Sequence, residues 1–268
     1  MRKIVLFEII FVIGLAIIIF VKLNPAILDR FHFREGTALL QSNTITVQKI
    51  PSYIKDFSQT EAGDMVISEV FIPVDEVMQL PELPHGCEIT AVTSILNYYG
   101  FVVSKTVLAD EYLPKQPFSV KNGRRYGPNP YSAYAGNPRE NTGFFVYAPP
   151  VVEAVETFLL EKKADFTVKD ISGSTQSEIM DYLKAGTPVV VWVTKDLSLP
   201  KMNYSWYFYH NDEYFQAPTN SHTVVLNGFH DKNIYAMDPL KGHVTYESKL
   251  FFQSYQALGS HAVVIKKK

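Results

Sequence analysis

Helical patterns come first and strand-like runs come last in the C-terminal part of this sequence. Apolar residues recur at helical spacing over residues 87–99, and Gly100 is a typical residue just beyond a helix end. Pro150 opens a second helix, and a third is predicted over residues 175–184. This order indicates an α+β fold and not the alternation of a doubly wound parallel sheet. The predicted strands lie at residues 189–193, 223–229, 234–237, 243–246 and 262–265.

The segment between the first two helices is rich in residues that break regular structure. Residues 110–142 hold five prolines and several glycines. We therefore predict a long irregular connection there, and long ordered loops commonly carry function.

Composition limits the classes of protein to which the chain can belong. Its 268 residues, 47% of them hydrophobic, can bury a full core in one domain or two small ones. A net charge of -2 argues against nucleic acid as the main partner. The single cysteine cannot form an internal disulfide, so packing must hold the fold together.

The N-terminus carries a long apolar run at residues 4–21, interrupted only by Glu8 and Gly14. A helix of this length reaches about 27 Å, which just crosses the hydrocarbon core of a bilayer. No small-residue cleavage site follows the run, so the sequence predicts a retained anchor and not a cleaved signal peptide. A long C-terminal domain translocates largely regardless of charge, which places the domain outside the cytoplasm.

These patterns divide the chain into three parts. Residues 1–24 are the predicted transmembrane signal-anchor, and residues 25–70 form a stalk or a lead-in to the domain. Residues 71–268 form the compact domain. The expected location is the cell membrane, with a single span and an extracellular domain.

Cys87 lies where a turn broken by Pro84 and Gly86 leads into the first predicted helix. A thiol at a helix N-terminus faces unpaired backbone N–H groups and the positive end of the helix dipole, and both favour the thiolate. Because the thiolate is the nucleophile, this is a favourable position for a reactive cysteine. The alternative is that Cys87 is a small buried apolar residue.

Two residues of the strand-rich half are candidates for the base and its orienting group. His222 stands at the head of an apolar strand, and Asp238 ends the next strand just before Pro239. Taken singly, His222 could be a strand-end histidine satisfied by a carbonyl, and Asp238 an ordinary turn aspartate. A thiol followed in the chain by an imidazole and a carboxylate is the set that cysteine peptidases need.

The expected register of the hairpin raises a difficulty for this pair. If Phe229 pairs with Ile234, Asp238 lies opposite Val225, three residues from His222 along the strand. An ideal ladder would then direct the two side chains to opposite faces of the sheet. We therefore expect a bulge or a bend at this point.

Ordered motifs occur along residues 70–268. They are QLPELPHGCE at 79–88, LNYYG at 96–100, GFFVYAP at 143–149, GTPVVVW at 186–192, HTVVLNGF at 222–229 and DP at 238–239. Together they resemble the C39-like peptidase family of bacteria, which has a papain-like fold. The resemblance implies an α+β, papain-like cysteine peptidase fold in which an N-terminal helix carrying the cysteine packs on an antiparallel sheet.

The resemblance also implies roles for four residues: Cys87 as nucleophile, His222 as base, Asp238 as its orienting group and Gln79 as an oxyanion donor. An ordinary loop glutamine is an equal alternative for Gln79. His85 occupies a position where a small polar residue is expected, which would alter the entrance to the site. No cofactor and no metal are expected, since the sequence has no His-Glu-x-x-His, no cysteine pair and no Gly-x-Gly-x-x-Gly after a strand.

The leading hypothesis is a cysteine peptidase anchored at the membrane, with a peptide or protein as substrate. Better-known relatives remove double-glycine leaders as part of an ATP-driven exporter, but this chain lacks a Walker motif and has one predicted span. The alternatives are a non-catalytic binder of peptides or cell-wall material, and a structural surface protein with an inert Cys87. The aromatic tract at residues 204–209 lines a peptide groove or packs on the sheet, and packing is favoured slightly.

Overall fold

The computed structural model of the chain describes residues 50–268. Their helices are α1 (Cys87–Tyr98), the short α2 (Lys105–Val107), α3 (Ala148–Glu161), α4 (Gln176–Lys184) and α5 (Ser248–Ala257), with a π-helical turn at Leu108–Tyr112. The helices predicted after Pro150 and over residues 175–184 are confirmed. Thr175 caps α4 through a reciprocal pair of hydrogen bonds with Glu178, because the two residues form a capping box.

The strands form one large sheet and two small ones within the same residues. They are β1 (Ile54–Gln59), β2 (Met65–Phe71), β3 (Lys115–Gln116), β4 (Ser119–Lys121), β5 (Arg124–Gly127), β6 (Tyr134–Ala135), β7 (Phe166–Asp170), β8 (Val189–Thr194), β9 (Tyr204–Phe208), β10 (Tyr214–Ala217), β11 (Ser221–His230), β12 (Asn233–Asp238), β13 (Gly242–Glu247) and β14 (Ala262–Lys267).

The large sheet has the strand order β1-β2-β11-β8-β14-β7, and β12 pairs with both β11 and β13. Every pairing in it is antiparallel. The five strands predicted from apolar runs are all present, as β8, β11, β12, β13 and β14. The α+β fold with an antiparallel sheet is therefore confirmed.

Helix α1 is buried around most of its circumference. Its residues from Cys87 to Leu96 are shielded from solvent, because the helix packs on β11 and β8 and also contacts α3. A helix that is enclosed in this way belongs to the core. The first residue of α1 is thus held between the sheet and the rest of the domain.

Residues 50–70, which the sequence suggests to be the end of a stalk or lead-in, contribute strands β1 and β2 to the large sheet. Phe71 pairs with Gly228, and Val70 pairs with Phe229. One compact unit accordingly spans Ile50–Lys268, with a start about twenty residues before the expected boundary at residue 71. A stalk at residues 25–49 would lie outside the described residues.

A second sheet has the order β10-β9-β5-β4 and contains most of the aromatic tract at residues 204–209. Trp206 is buried, and its indole N–H donates to the carbonyl of Pro128 at 2.8 Å. The irregular segment at residues 110–142 supplies β4 and β5 of this sheet but otherwise has little regular structure. The hairpin of β9 and β10 is not predicted by the sequence patterns above.

No helix within residues 50–268 is long and apolar enough to span a membrane. The apolar run at residues 4–21, from which an anchor is expected, lies outside the described residues.

Candidate active site

Cys87 is the first residue of α1, as the sequence predicts. The turn before it is held by two backbone hydrogen bonds: Leu83 N–H donates to Gln79 O at 2.9 Å, and Gly86 N–H donates to Leu83 O at 3.1 Å. A Cβ on Gly86 would lie 2.7 Å from the Cβ of Leu83, so only glycine fits there without a shift. The tight turn therefore sets the position of the thiol.

His222 and Asp238 form a hydrogen-bonded pair in the interior. His222 Nε2 lies 2.7 Å from Asp238 Oδ1, and both side chains are almost inaccessible to solvent. His222 lies near the start of β11, and Asp238 is the last residue of β12. The two residues that the sequence predicts to act together are therefore in direct contact.

A β-bulge makes this contact possible. Phe229 pairs with Ile234 as expected, but the register shifts between Leu226 and Gly228, where Asn227 has no partner on β12. The expected bulge is thus present.

The consequence of the bulge is a change of register by one residue. Val225 then pairs with Met237 and not with Asp238. Asp238 therefore lies one position closer to His222 along β11 than the ideal ladder predicts, at a spacing of two residues. Because the side-chain period of a strand is two, the two side chains share a face of the sheet.

Contacts with a distant part of the chain hold the bulge in place. Ile72 N–H donates to Asn227 O at 2.6 Å, and Asn227 Nδ2 donates to Ile72 O at 2.8 Å. At the next residue, a Cβ on Gly228 would approach Val70 O to 2.1 Å. The bulge thus depends on the segment around residues 70–72 lying against β11.

Gln79 lines the same cavity as Cys87 and is buried. Its backbone N–H donates to Pro239 O at 2.8 Å, and its side-chain Nε2 donates to Pro84 O at 2.9 Å. These bonds tie the turn before Cys87 to the residue that follows Asp238. The amide nitrogen of Gln79 still has a second hydrogen, since it uses one on Pro84.

One small cavity connects three of the four predicted residues. Gln79, Cys87 and His222 all line it, and Asp238 lies behind His222. With Nε2 bonded to Asp238, His222 has Nδ1 left, and this buried nitrogen has no hydrogen-bond partner among residues 50–268. The rest of the lining is Pro84, His85, Phe144, Phe145, Lys195, Pro218, Thr219 and Ser221.

Known proteins of similar sequence and structure share one family. The profile of the C39-like peptidase family matches residues 71–263. The uncharacterized protein YvpB of Bacillus subtilis (strain 168) is 30% identical over 192 residues, which cover 71% of this chain and 72% of that protein. The crystal structure of a candidate C39-like peptidase from Bacillus anthracis is 29% identical, with a TM-score of 0.65 over 75% of this chain and 98% of the other. The chain belongs to the C39-like peptidase family.

Asp238 is held as a carboxylate by donors on both of its oxygens. Besides His222, the N–H of Leu240 donates to Oδ1 at 2.8 Å and the hydroxyl of Tyr246 donates to Oδ2 at 2.8 Å. Burial by itself would raise the pKa of Asp238, but these three donors together keep it well below its usual range. Tyr246, which the sequence patterns did not single out, is thus part of the support for the pair.

The expected preference for the thiolate is wrong for Cys87 in this structure. Its sulfur lies 3.4 Å from Oε2 of Glu88, the next residue of α1. Burial first, and then the negative charge of Glu88, raise the pKa of the Cys87 thiol well above its usual value. The backbone N–H of Thr223 and the charge of Lys195 act in the opposite direction but are weaker.

His85 and the aromatic residues shape the entrance of the cavity. His85 lines it and is partly buried, and burial followed by the charge of Lys195 lowers the pKa of its imidazole. Phe144, also in the lining, stacks on Tyr204 with ring centroids 4.6 Å apart. Trp206 of the aromatic tract therefore packs in the interior, as the favoured alternative expects, and Tyr204 contacts Phe144 of the cavity lining.

Glu88 is the site residue that the sequence analysis missed. The sequence carries a signal for it, because the acidic residue directly after the cysteine lies in the first turn of an otherwise uncharged helix. Such a residue is normally interpreted as a favourable partner of the helix dipole at the surface. Only the packing around α1 reveals that it is buried.

Proposed function

We propose that the chain is a cysteine peptidase that hydrolyses peptide bonds with Cys87, His222, Asp238 and Gln79. The observation that supports this most directly is the buried His222–Asp238 pair, because it leaves His222 Nδ1 unbonded within residues 50–268 and His222 lines the same cavity as Cys87. Cysteine peptidases need a thiol, an imidazole that takes its proton and a group that orients the imidazole.

In the proposed reaction, His222 Nδ1 takes the proton of the Cys87 thiol, and the sulfur attacks the carbonyl carbon of the substrate. The carbon–nitrogen bond then breaks, His222 gives the proton to the leaving amine, and a thioester remains on Cys87. Water attacks the thioester with His222 as base, which releases the acid and restores the thiol. Asp238 holds the ring with Nδ1 towards the cavity and stabilises the imidazolium.

Gln79 is the proposed donor to the oxyanion of the tetrahedral intermediate. Its amide nitrogen is beside the cavity and has a hydrogen that is not used on Pro84. The backbone N–H of Cys87 is a second candidate donor, since the first N–H groups of a helix have no acceptor within it. Two donors of this kind typically stabilise a developing negative charge.

The test is cleavage of a mixed peptide library, followed by mass spectrometry. We expect the chain to produce new peptide termini, and both Cys87→Ala and His222→Ala to lose this activity. His210→Ala is the matched control, because His210 is an exposed histidine that does not line the cavity. Equal cleavage by Cys87→Ala and the unchanged chain would contradict the proposal.

A second candidate function is a non-catalytic binder of peptides or cell-wall material, and one observation favours it. The raised pKa of the Cys87 thiol leaves little thiolate at neutral pH. If the protein is a binder, the unchanged chain and Cys87→Ala will retain the same peptides or cell-wall fragments and cleave neither. Turnover by the unchanged chain alone would exclude this alternative.

The proposal includes a location at the cell membrane, with the catalytic domain on the outer face. It is supported by the apolar run at residues 4–21, which is long enough to span a bilayer, and by the size of the domain that follows. External protease on intact cells is expected to release a fragment cut between about residues 25 and 50, ahead of the first strand. A fragment that is protected until the cells are lysed would contradict this location.

A further inference from the structure

Glu88 is a buried acid in the first turn of α1, and its side chain is only 1% exposed. Carboxylates are rarely buried to this extent unless a positive group pairs with them. Within residues 50–268, no lysine, arginine or histidine forms an ion pair with Glu88. Glu88 is therefore not an ordinary surface charge, and its burial needs a separate explanation.

The two oxygens of Glu88 contact two different parts of the cavity wall. Oε2 lies 3.4 Å from the Cys87 sulfur, and Oε1 accepts the backbone N–H of Val146 at 3.2 Å. The carbonyl of Val146 in turn accepts the indole N–H of Trp192 at 2.8 Å. Glu88 thus connects the nucleophile with the segment that carries Phe144 and Phe145 into the lining of the cavity.

Few other ionisable groups face this carboxyl. On its own helix there is Cys87; from other elements there are the buried Tyr134 of β6, and Lys195, which follows β8 and is exposed. Burial is the main cause that raises the pKa of Glu88 to about 7. Its own backbone N–H, the N–H of Val146, the Cys87 thiol and Lys195, in decreasing order, offset this increase only in part. The carboxyl therefore changes its protonation state near neutral pH.

The two protonation states of Glu88 have opposite effects on the sulfur. As a carboxylate it can only accept a hydrogen bond, so it favours the neutral S–H and opposes a second negative charge beside it. As a carboxylic acid it has an O–H that can be donated to a thiolate, and it carries no charge.

We propose that Glu88 is a positioning residue whose proton determines the state of the nucleophile: the carboxylate keeps the Cys87 thiol neutral, and the carboxylic acid supports the thiolate. In the role that the proposed function gives to Cys87, on which this inference rests, the thiol proton still passes to His222 Nδ1 and Glu88 retains its own. The carboxylate then suppresses the reactivity of the thiol above neutral pH, and this suppression is lost on the acid side, where Glu88 is protonated.

The experiment measures the rate of alkylation of the thiol by iodoacetamide between pH 5 and 9. Cys87 is the only cysteine, so the label reports on this sulfur alone. Three proteins are compared: the unchanged chain, Glu88→Gln, and Glu153→Gln as the matched control, since Glu153 is exposed on α3. Glutamine keeps an acceptor for Val146 N–H and places an N–H near the sulfur.

At pH 8 we expect Glu88→Gln to react at least about tenfold faster than the unchanged chain, because a like charge within hydrogen-bond distance shifts a pKa by one unit or more. The ratio of the two alkylation rates, Glu88→Gln over the unchanged chain, should fall towards one at pH 5, where Glu88 is protonated. Glu153→Gln should match the unchanged chain at every pH. A ratio near one at pH 8, or a ratio that does not change with pH, would overturn the inference.

A second measurement uses the unchanged chain and tests the inference even if the Glu88→Gln protein does not fold. In the unchanged chain labelled with 13C-glutamate, one side-chain carboxyl should titrate near neutral pH. Titration of every glutamate below pH 5.5 would also overturn the inference.

These outcomes are separable from those of the proposed function. If alkylation behaves as expected but no peptide is cleaved, the peptidase assignment fails and the role of Glu88 stands. If Cys87-dependent cleavage is found but alkylation of Glu88→Gln equals that of the unchanged chain, the peptidase assignment stands and the role of Glu88 fails.

Discussion

The buried Glu88 beside Cys87 should make the stability of the domain depend on pH, and one substitution should remove this dependence. Glu88→Gln is the perturbation, because glutamine has nearly the same shape and cannot ionise. The substituted amide can still accept the N–H of Val146, so the backbone contact that Glu88 makes is retained. The difference between the two proteins therefore isolates the cost of a buried negative charge.

The magnitude follows from the pKa of Glu88, which burial raises from 4.5 to about 7. Between these values the unfolded chain releases the proton and the folded chain keeps it, so the free energy of unfolding falls as pH rises. At 1.36 kcal/mol for each pKa unit, the loss is roughly 3 kcal/mol and is complete above pH 7. Below pH 4.5 both states hold the proton, and Glu88 contributes no dependence on pH.

Urea unfolding at pH 5 and pH 8 measures this effect, with tryptophan fluorescence as the signal. Both tryptophans of the chain, Trp192 and Trp206, are buried in the domain, so they report on its unfolding. We expect the stability of Glu88→Gln relative to the unchanged chain to increase by roughly 2 to 3 kcal/mol from pH 5 to pH 8. Titrating groups whose pKa does not depend on Glu88 cancel in this comparison. A change below about 1 kcal/mol would refute the assignment of Glu88 as a buried, uncompensated acid.

Three further predictions concern the nucleophile, the His222–Asp238 pair and the bulge. Cys87→Ala should abolish cleavage while its circular dichroism spectrum stays unchanged, since the thiol adds little volume to the core. Asp238→Asn should lower kcat by about 10- to 150-fold, because a charge-assisted hydrogen bond worth about 1.5–3 kcal/mol loses its charge. Asp238→Ala should lower kcat further, because nothing then orients the His222 ring. An unchanged kcat in Asp238→Ala would assign the orienting role to another residue. Gly228→Ala should destabilise the domain by about 3 kcal/mol in urea unfolding, because its Cβ would lie 2.1 Å from Val70 O, and an unchanged midpoint would contradict the close approach.

Within residues 50–268, local sequence patterns predict three of the five helices and five of the fourteen strands. The apolar runs at residues 189–193 and 223–229 predicted β8 and β11 because buried strands have few polar residues, and the pairing of Phe229 with Ile234 followed from the short turn between them. The start of α1 at Cys87 was predicted from the proline and glycine before it. Strands β1 and β2 are not predicted. The residues of β1 are mostly polar and exposed and resemble a linker, whereas β2 is mostly apolar and has a strand-like composition.

The candidate site, too, is predictable from the sequence only in part. The residues Gln79, Cys87, His222 and Asp238 were chosen from the sequence and from its resemblance to a family, and their catalytic roles stay predictions. That His222 and Asp238 share a face depends on the bulge at Asn227, which needs Ile72, 155 residues earlier in the chain. No pattern along one strand can reveal a contact of that separation.

The sequence alone determined three of the helices, five strands of the large sheet, the position of the thiol at a helix start and the family, because these depend on neighbouring residues and on motifs. Tertiary structure decided the charge state of the site. The pKa values of Cys87 and Glu88 are set by burial and by groups such as Lys195 and the N–H of Val146, which distant elements bring to them. Desolvation depends on everything that packs around a group, so the same two residues in an exposed first turn would favour the thiolate that the sequence predicts.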